Sequence, residues 1–465
     1  MADFEAFRKQ FQGDLVTPSD PGYDEAIQRW ARNTSRPAKV VAFVKNCDDI
    51  AAALAYARAA GLRIAVRGGG HNAAGASSCE GGLVIDLSKY LNHVDVDPKE
   101  KVIHVEGGAV WETVDKAAIQ HRLATVGGTV NHTGVGGLIT GGGYGWLSGE
   151  HGLAIDNLVQ ATVVTADGTS HVASATENED LFYGIRGGGS NFGIVTVFTL
   201  KLYDQQPTVF AGPIVFTPDK CEQVASVLAS WWEGAGEKEG LLAGMSPAPD
   251  GSPCITLFLF FNGTEAMGRV TFKPFFDLEP VVDMSKEIPF EELNSMLNAN
   301  AVPGRNYYMK GALLSKSPLE DLTLTILTRV VQASSSGELT TFVGLEYFPH
   351  GKINSVPADA TPYRRDLTGG VAIIVSWDDD TPEKSKRAAK EAREIASLIG
   401  PEGEGYGNYG DGSYGPDSDA SSMEGAVPPS KAKALFGSSY ARMQAIKKKY
   451  DPDMVFNKCQ RPLHL

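Results

Sequence analysis

The sequence predicts an α+β protein in two parts, the second an antiparallel sheet covered on one face by helices. Three observations carry that prediction. At 465 residues the chain exceeds what one compact core sustains, so two domains are expected. Residues 1–205 open with a β-α-β pattern and hold three clusters of glycines. From residue 206 to 400 the pattern changes to longer apolar strands followed by helices, the arrangement of helices gathered on an antiparallel sheet.

The first elements read as a strand ending near Lys45, a helix from Asp48 to Ala60 stopped at Gly61, and a short strand leading into Gly68. "GGLVIDLS" is another strand, and "HVDVDPKEKVIHVEGGA" is a strand pair turning at "DPKE". A helix from Trp111 to Gln120 follows, with Val114, Ala117 and Ala118 at helical spacing. "IDNLVQATVVTADGTSHVAS" is a hairpin hinged at Asp167 and Gly168, and "GIVTVFTLKLY" a strand beyond it. In the second part "TVFAGPIVF", "CITLFLFFNG", "TTFVGLEYF" and "GVAIIVSW" read as strands. Lys220 to Trp232 and "TPEKSKRAAKEAREIASLIG" read as helices. The last segment, 401–465, begins with a Gly-, Asp-, Ser- and Tyr-rich loop to Pro428 and ends in a helix stopped near "YDPD".

Composition bounds the function. A hydrophobic fraction of 42% with 21% charged residues describes an ordinary globular protein. The net charge of -14 speaks against a nucleic-acid partner, which needs clustered Lys and Arg. No apolar run is long enough to span a bilayer, so no membrane partner is expected. The acidic start does not resemble a secretory leader, and a cytoplasmic location is expected, with secretion of a processed form left open. Cys47, Cys79, Cys221, Cys254 and Cys459 are scattered and odd in number, which suggests neither a disulfide framework nor a zinc site; no metal is expected.

The glycine clusters are Gly68 to Gly70, Gly134 to Gly145 and Gly187 to Gly193. Glycine lets backbone N–H groups approach a ligand with no Cβ in the way, which suits a pyrophosphate. One cluster is explained by tight turns alone; three within about 130 residues point to one large phosphate-bearing ligand. The commoner devices are missing: there is no GxxxxGK[ST] and no HExxH, and none of the three clusters matches the strict GxGxxG or completes a nucleophile elbow. Arg67 offers a cation before the first cluster and His71 a titratable group after it.

The stretches "VRGGGHNAAG…GGLVIDLS", "GVGGLITGGGYGWLSGEHGLAIDNLVQATVVTADG" and "LFYGIRGGGSNFGIVT" resemble the FAD-binding domain of the vanillyl-alcohol oxidase superfamily. The closer likeness is to its berberine bridge enzyme-like branch, because "GYGNYGD" resembles that branch's YxNYxD-type motif and "KKKYDPDMVFN" its terminal helix. "NYYMKGALL" and "SVPADATPYRRD" are weaker echoes. The resemblance implies a PCMH-type FAD domain made of residues 1–205 together with the returning 401–465 segment, and an intervening substrate domain. It implies a covalent bond from His71 to the flavin, with Arg67, Gly68, Gly69 and Gly70 around the pyrophosphate. By the same matching Thr133, Gly134, Gly137, Gly142, Gly143, Asn157, Gly193, Ile194 and Val195 line FAD, and Asn408 and Tyr409 reach it from the C-terminal loop.

One departure bears on attachment. Many relatives hold FAD by a second bond, from a cysteine four residues before GVGG; Val130 stands there, so a single attachment through His71 is expected. The loss also speaks against oxidation of large sugars. Cys79 lies in another segment and is expected to be inert.

The activity implied is that of an oxidase. A base takes a proton from an alcohol or phenol while hydride passes from carbon to FAD, and dioxygen takes the electrons to give hydrogen peroxide. Tyr406 and Tyr409 are the candidate bases; a free tyrosine has a pKa of about 10, so Lys310 or Arg365 is expected to activate one of them. Both tyrosines are equally explained as rings stacked on the cofactor. Thr133, small and just before GVGG, leaves dioxygen a path. Two other readings stand beside this one: oxidative cyclisation in secondary metabolism, and a flavin-binding electron carrier without catalysis of its own.

Overall fold

In the computed structural model, residues 3–248, 251–314, 320–365, 369–400, 405–410, 429–458 and 463 are described. Cys459 and the position after Gly410 in the tyrosine motif, as well as most of the loop to Pro428, lie outside them.

The N-terminal part is built on two main sheets, with a two-stranded pair of Leu123–Ala124 and Tyr203–Asp204 beside them. Strands Asp14–Val16, Val40–Phe43, Leu83–Asp86 and Ile64–Arg67 form the first, in that order. The last three run parallel, which the crossover helix Cys47–Ala60 makes possible. That helix begins where the Asn46 side chain accepts the Asp49 N–H and ends at Gly61 in the left-handed conformation (φ +63°). Ile50, Ala53, Leu54 and Ala57 face the sheet and are buried with Val40, Ile64, Leu83 and Ile85.

The second sheet has five antiparallel strands in the order Val94–Asp97, Val102–Glu106, Ile194–Lys201, Leu158–Val164 and Ser170–Ser174. The expected hairpin turns at Gly168 (φ +86°). The C-terminal helix Tyr440–Tyr450 packs on this part through Met443, Ile446 and Tyr450. Its Lys447 is fully buried and is satisfied by Asp451 (2.5 Å), the Asn191 carbonyl (2.7 Å) and the Phe456 carbonyl (2.9 Å). The chain end is thereby tied to the third glycine cluster.

Residues 208–399 form the predicted antiparallel sheet, here of eight strands. Its central run is Thr208–Phe216, Pro253–Phe261, Glu239–Pro247, Thr340–Tyr347, Gly370–Trp377 and Asn306–Leu313. Helices Cys221–Gly234, Glu320–Ser334 and Pro382–Ile399 cover one face, burying Val224, Leu228, Ile326, Val330, Ala392 and Ile395 against Leu257, Val343 and Ile373. The other face packs Leu242, Phe258, Phe260 and Phe348 against Trp146, Leu147 and Val126 of the N-terminal part. Among the described residues no helix is long and apolar enough to cross a membrane.

Candidate active site

A cavity of about 310 Å³ runs from the first glycine cluster to the uncovered face of the eight-stranded sheet. Parallel pairing places Gly68 to His71 at the carboxyl end of the Ile64–Arg67 strand, where open α/β arrangements bind ligands. Gly69 and Gly134 touch backbone to backbone: a Cβ on Gly69 would lie 2.6 Å from the Gly134 Cα. Only glycine at both positions lets the first and second clusters meet. Gly68, Gly69, Gly70, His71, Thr133, Gly134, Gly137, Gly193, Ile194, Val195, Tyr406, Asn408 and Tyr409 all line this one cavity.

Four expected residues do not line it. Arg67 turns away: its Nη1 lies 3.0 Å from the fully buried Asp86 carboxylate and 3.3 Å from the Ala26 carbonyl. The cation at the cavity wall is instead Lys458, whose Nζ donates to the Ser78 carbonyl at 2.6 Å and whose pKa burial pushes down to about 8. Asn157 is a buried brace that donates to the His151 and Leu153 carbonyls and accepts from the Tyr203 hydroxyl at 2.7 Å. Gly142 and Gly143 stand behind the wall, where the Gly143 N–H donates to the Tyr406 hydroxyl at 3.0 Å.

His71 sits in a stack of rings. Trp30 lies on it at 4.2 Å between centroids, Tyr307 lies on Trp30 at 4.0 Å, and His132 is 5.0 Å from His71. Burial, and then the nearby His132, push the His71 pKa down to about 3. The imidazole is therefore neutral at ordinary pH, with a lone pair available for a bond. Among the described residues, the buried His71 Nε2 and Ser77 Oγ at the cavity have no hydrogen-bond partner. Such orphans, together with a cradle that tolerates no Cβ, fit a large polar group seated against them.

At the far end stands Glu346, on strand Thr340–Tyr347. Its carboxylate accepts from the Tyr409 hydroxyl at 2.7 Å and, through a short hydrogen bond, from the Tyr144 hydroxyl. Burial raises its pKa to about 7, with the two tyrosine hydrogen bonds pulling the other way. The same burial, and then the charge of Glu346, push Tyr409 and Tyr144 well above the ordinary phenol value. Tyr406 is held by the Gly143 N–H and the Asn408 side-chain amide, and its ring meets that of Tyr409 edge-on at 5.1 Å.

The expected activating cations are elsewhere. Arg365 is paired with Asp156 through both Nη atoms, at 2.7 and 2.9 Å. Lys310 lies between Met309 and Gly311, and strand alternation puts it with Tyr308 and Ala312 on the helix-covered side. Sequence reasoning missed Glu346, although it is the one carboxylate in the apolar run "TTFVGLEYF". It also missed Ser77, in the same loop as His71, and Tyr144, inside the second glycine cluster, as well as Trp30 and Lys458, which only long-range packing brings to the cavity.

Family models match at both ends of the chain, an FAD binding domain over residues 38–174 and a berberine and berberine-like segment over 405–460. An FAD-linked oxidoreductase, pgmH, of Aspergillus terreus is 32% identical over 98% of this chain and 95% of its own. The chain belongs to the berberine bridge enzyme-like FAD-linked oxidoreductases. It is accordingly an FAD-dependent oxidoreductase. The (R)-6-hydroxynicotine oxidase of Paenarthrobacter nicotinovorans is 36% identical over 49% of each chain. Among solved structures, the 6-hydroxy-D-nicotine oxidase of Arthrobacter nicotinovorans superposes with a TM-score of 0.85 over 97% of each chain at 24% identity. The fold is thus the expected two-domain α+β architecture of PCMH-type flavoproteins.

Proposed function

We propose that this family member is an oxidase of an alcohol or related carbon-hydrogen donor, with Glu346 as the base. His71 holds FAD through a single covalent bond, and dioxygen is the final acceptor, giving hydrogen peroxide. The observation that carries the reading is Glu346: a buried carboxyl group facing the cavity, fixed by two phenols, with a pKa near 7. A group so poised is both ionised enough to accept a proton and basic enough to keep it.

FAD, when bound, supplies the two-electron acceptor. The chain's own residues do the rest. Tyr409 and Tyr144 orient the carboxylate and hold its charge, a positioning role, so the acid–base role expected for tyrosine passes to Glu346. Tyr406, locked by Gly143 and Asn408, contributes a ring and a fixed hydroxyl. His71, neutral and with an Nε2 that has no partner among the described residues, is the attachment point, and Ser77, Lys458 and the backbone of Gly68 to Gly70 are the phosphate contacts. Val130 lines the cavity where a thiol would be needed for a second bond. Thr133 leaves dioxygen its path.

Anaerobic reduction by a substrate, followed by mixing with air, tests the reading. Return of the oxidised flavin spectrum within seconds, with peroxide formed in equal amount, is the expected result. A flavin that stays reduced for minutes makes the protein a dehydrogenase.

A further inference from the structure

We infer that the proton Glu346 takes from its substrate leaves through Tyr144 into a second, smaller cavity rather than back through the substrate cavity. The inference rests on the reading of Glu346 as the base, and its test separates the two. A base must lose its proton before it acts again, and Glu346 is only 2% exposed. While substrate or product lies over the carboxyl group, the main cavity offers that proton no water.

The two phenols on Glu346 differ in what stands behind them. Tyr409 donates to Oε1 and lines the main cavity but not the second. Tyr144 donates to Oε2 and lines both, as does Tyr406. The rings of these two tyrosines lie 4.6 Å apart between centroids and form the partition. Behind them the second cavity measures about 40 Å³, room for about two or three waters. Gly370 is part of its wall, and a Cβ there would lie 2.6 Å from the Tyr144 hydroxyl. That hydroxyl therefore stands at the second cavity's wall while bonded to Glu346.

The second cavity is built to be wet. Tyr363, His350 and Arg364 line it together with the two partition tyrosines, all residues with polar ends. Burial pushes the His350 pKa down to about 4, so its imidazole is neutral and both donates and accepts. His350, Arg364, Gly405 and Leu435 are half-buried, which brings the space to the protein surface.

The transfer balances at every station. The substrate's hydroxyl proton goes to Glu346 and its hydride to FAD, so the alcohol is oxidised and the flavin reduced. The carboxyl proton then passes to the Tyr144 oxygen as the Tyr144 hydroxyl proton passes to water in the second cavity. One O–H bond forms and one breaks on the phenol, which stays neutral throughout. Its high pKa is for that reason no barrier. Glu346 ends as a carboxylate, and a proton reaches solvent for each flavin reduced.

The test is anaerobic stopped-flow of the weakly buffered holoenzyme on the alkaline plateau of reduction, with flavin bleaching and a pH-indicator dye followed together. The probes are 4-hydroxybenzyl alcohol, benzyl alcohol and cellobiose. Wild type is expected to release its proton in step with bleaching. In Tyr144→Phe the release is expected to lag bleaching by about tenfold or more. Leu435→Trp fills the second cavity from its half-buried side without touching Glu346, and is expected to bleach at the wild-type rate with the same lag. Tyr409→Phe removes the other hydrogen bond to the carboxyl group but leaves the route open, so its release is expected to keep pace. Release in step with bleaching in Tyr144→Phe or in Leu435→Trp overturns the route. A lag in Tyr409→Phe as well overturns it too, by assigning the effect to a disturbed carboxyl group. The oxidase reading fails differently: none of the three probes then bleaches the flavin, in wild type or variant.

Discussion

Glu346 and Tyr144 meet through a short hydrogen bond although 202 positions separate them, and Gly370 makes the contact possible. A Cβ at position 370 would lie 2.5 Å from Glu346 Oε2 and 2.6 Å from the Tyr144 hydroxyl. Gly370→Ala therefore wedges the pair apart without touching the glycine cradle. The rate of flavin reduction is expected to fall about a hundredfold, the size of a displaced general base, while the flavin content stays at the wild-type level. Rapid-mixing absorbance and a flavin-to-protein ratio check both halves; a variant with full reduction rate would show that the Tyr144 contact is dispensable.

The pH dependence of reduction follows from the same carboxyl group. Glu346 accepts a proton only when ionised, so the rate rises as pH passes upward through about 7. The Tyr409 hydrogen bond favours the ionised form and lowers that pKa. Removing it in Tyr409→Phe is expected to move the limb to higher pH and to leave the plateau rate nearly intact. Glu346→Gln is expected to abolish the limb and to cost about 10² to 10⁴ in rate. Stopped-flow reduction from pH 5.5 to about 9 distinguishes the two, and an unmoved limb in Tyr409→Phe would place the titrating group elsewhere.

What the sequence discloses is local. The helix ending at Gly61, the hairpin hinged at Gly168 and the strands carrying Phe342 and Ile374 follow from caps, turns and alternation within a few residues. Strand Asn306–Leu313 is harder to see, because Asn306, Lys310 and Gly311 interrupt its apolar character. The convergence of three glycine clusters is legible as a count but not as a place. The direction of a side chain is less legible still. Arg67 stands beside Gly68 in the chain, yet the buried charge of Asp86 across the parallel pair claims it. Lys458 reaches the cradle from the far end of the chain, a contact no local pattern records.

Arg67→Ala is accordingly a stability variant. It leaves Asp86 buried with its hydrogen bonds to the Ser88 N–H (2.8 Å) and hydroxyl (2.6 Å) but without its ion-pair partner, only the electrostatic pull of the buried Arg29 remaining. A loss of about 2 to 3 kcal/mol is expected, below the range for a wholly buried pair because Arg67 is partly exposed. Denaturant unfolding of the cofactor-free protein measures it. An unchanged midpoint, with weaker FAD binding instead, would return Arg67 to the phosphate site.

His71→Ala tests the attachment itself. With Val130 in place of a thiol, no second bond to the flavin is expected, so acid-precipitated His71→Ala is expected to be colourless and the wild type yellow. Colour retained by the variant would reveal another bond. In the native state the variant should still bind FAD, because Ser77, Lys458 and the Gly68 to Gly70 backbone remain. Adding Lys458→Ala then isolates the phosphate contact: a lysine partly withdrawn from water, against a pyrophosphate, forms a charge-assisted hydrogen bond whose removal is expected to weaken FAD about tenfold. The His71 pKa near 3 adds a second readout. Its imidazole is unprotonated throughout the pH range in which the protein is handled, so covalent incorporation of FAD into cofactor-free wild type should reach the same extent at pH 6 and at about pH 8. An incorporation that fails at the lower pH would mean that His71 titrates near the ordinary histidine value, and that the ring stack with Trp30 opens before the bond forms.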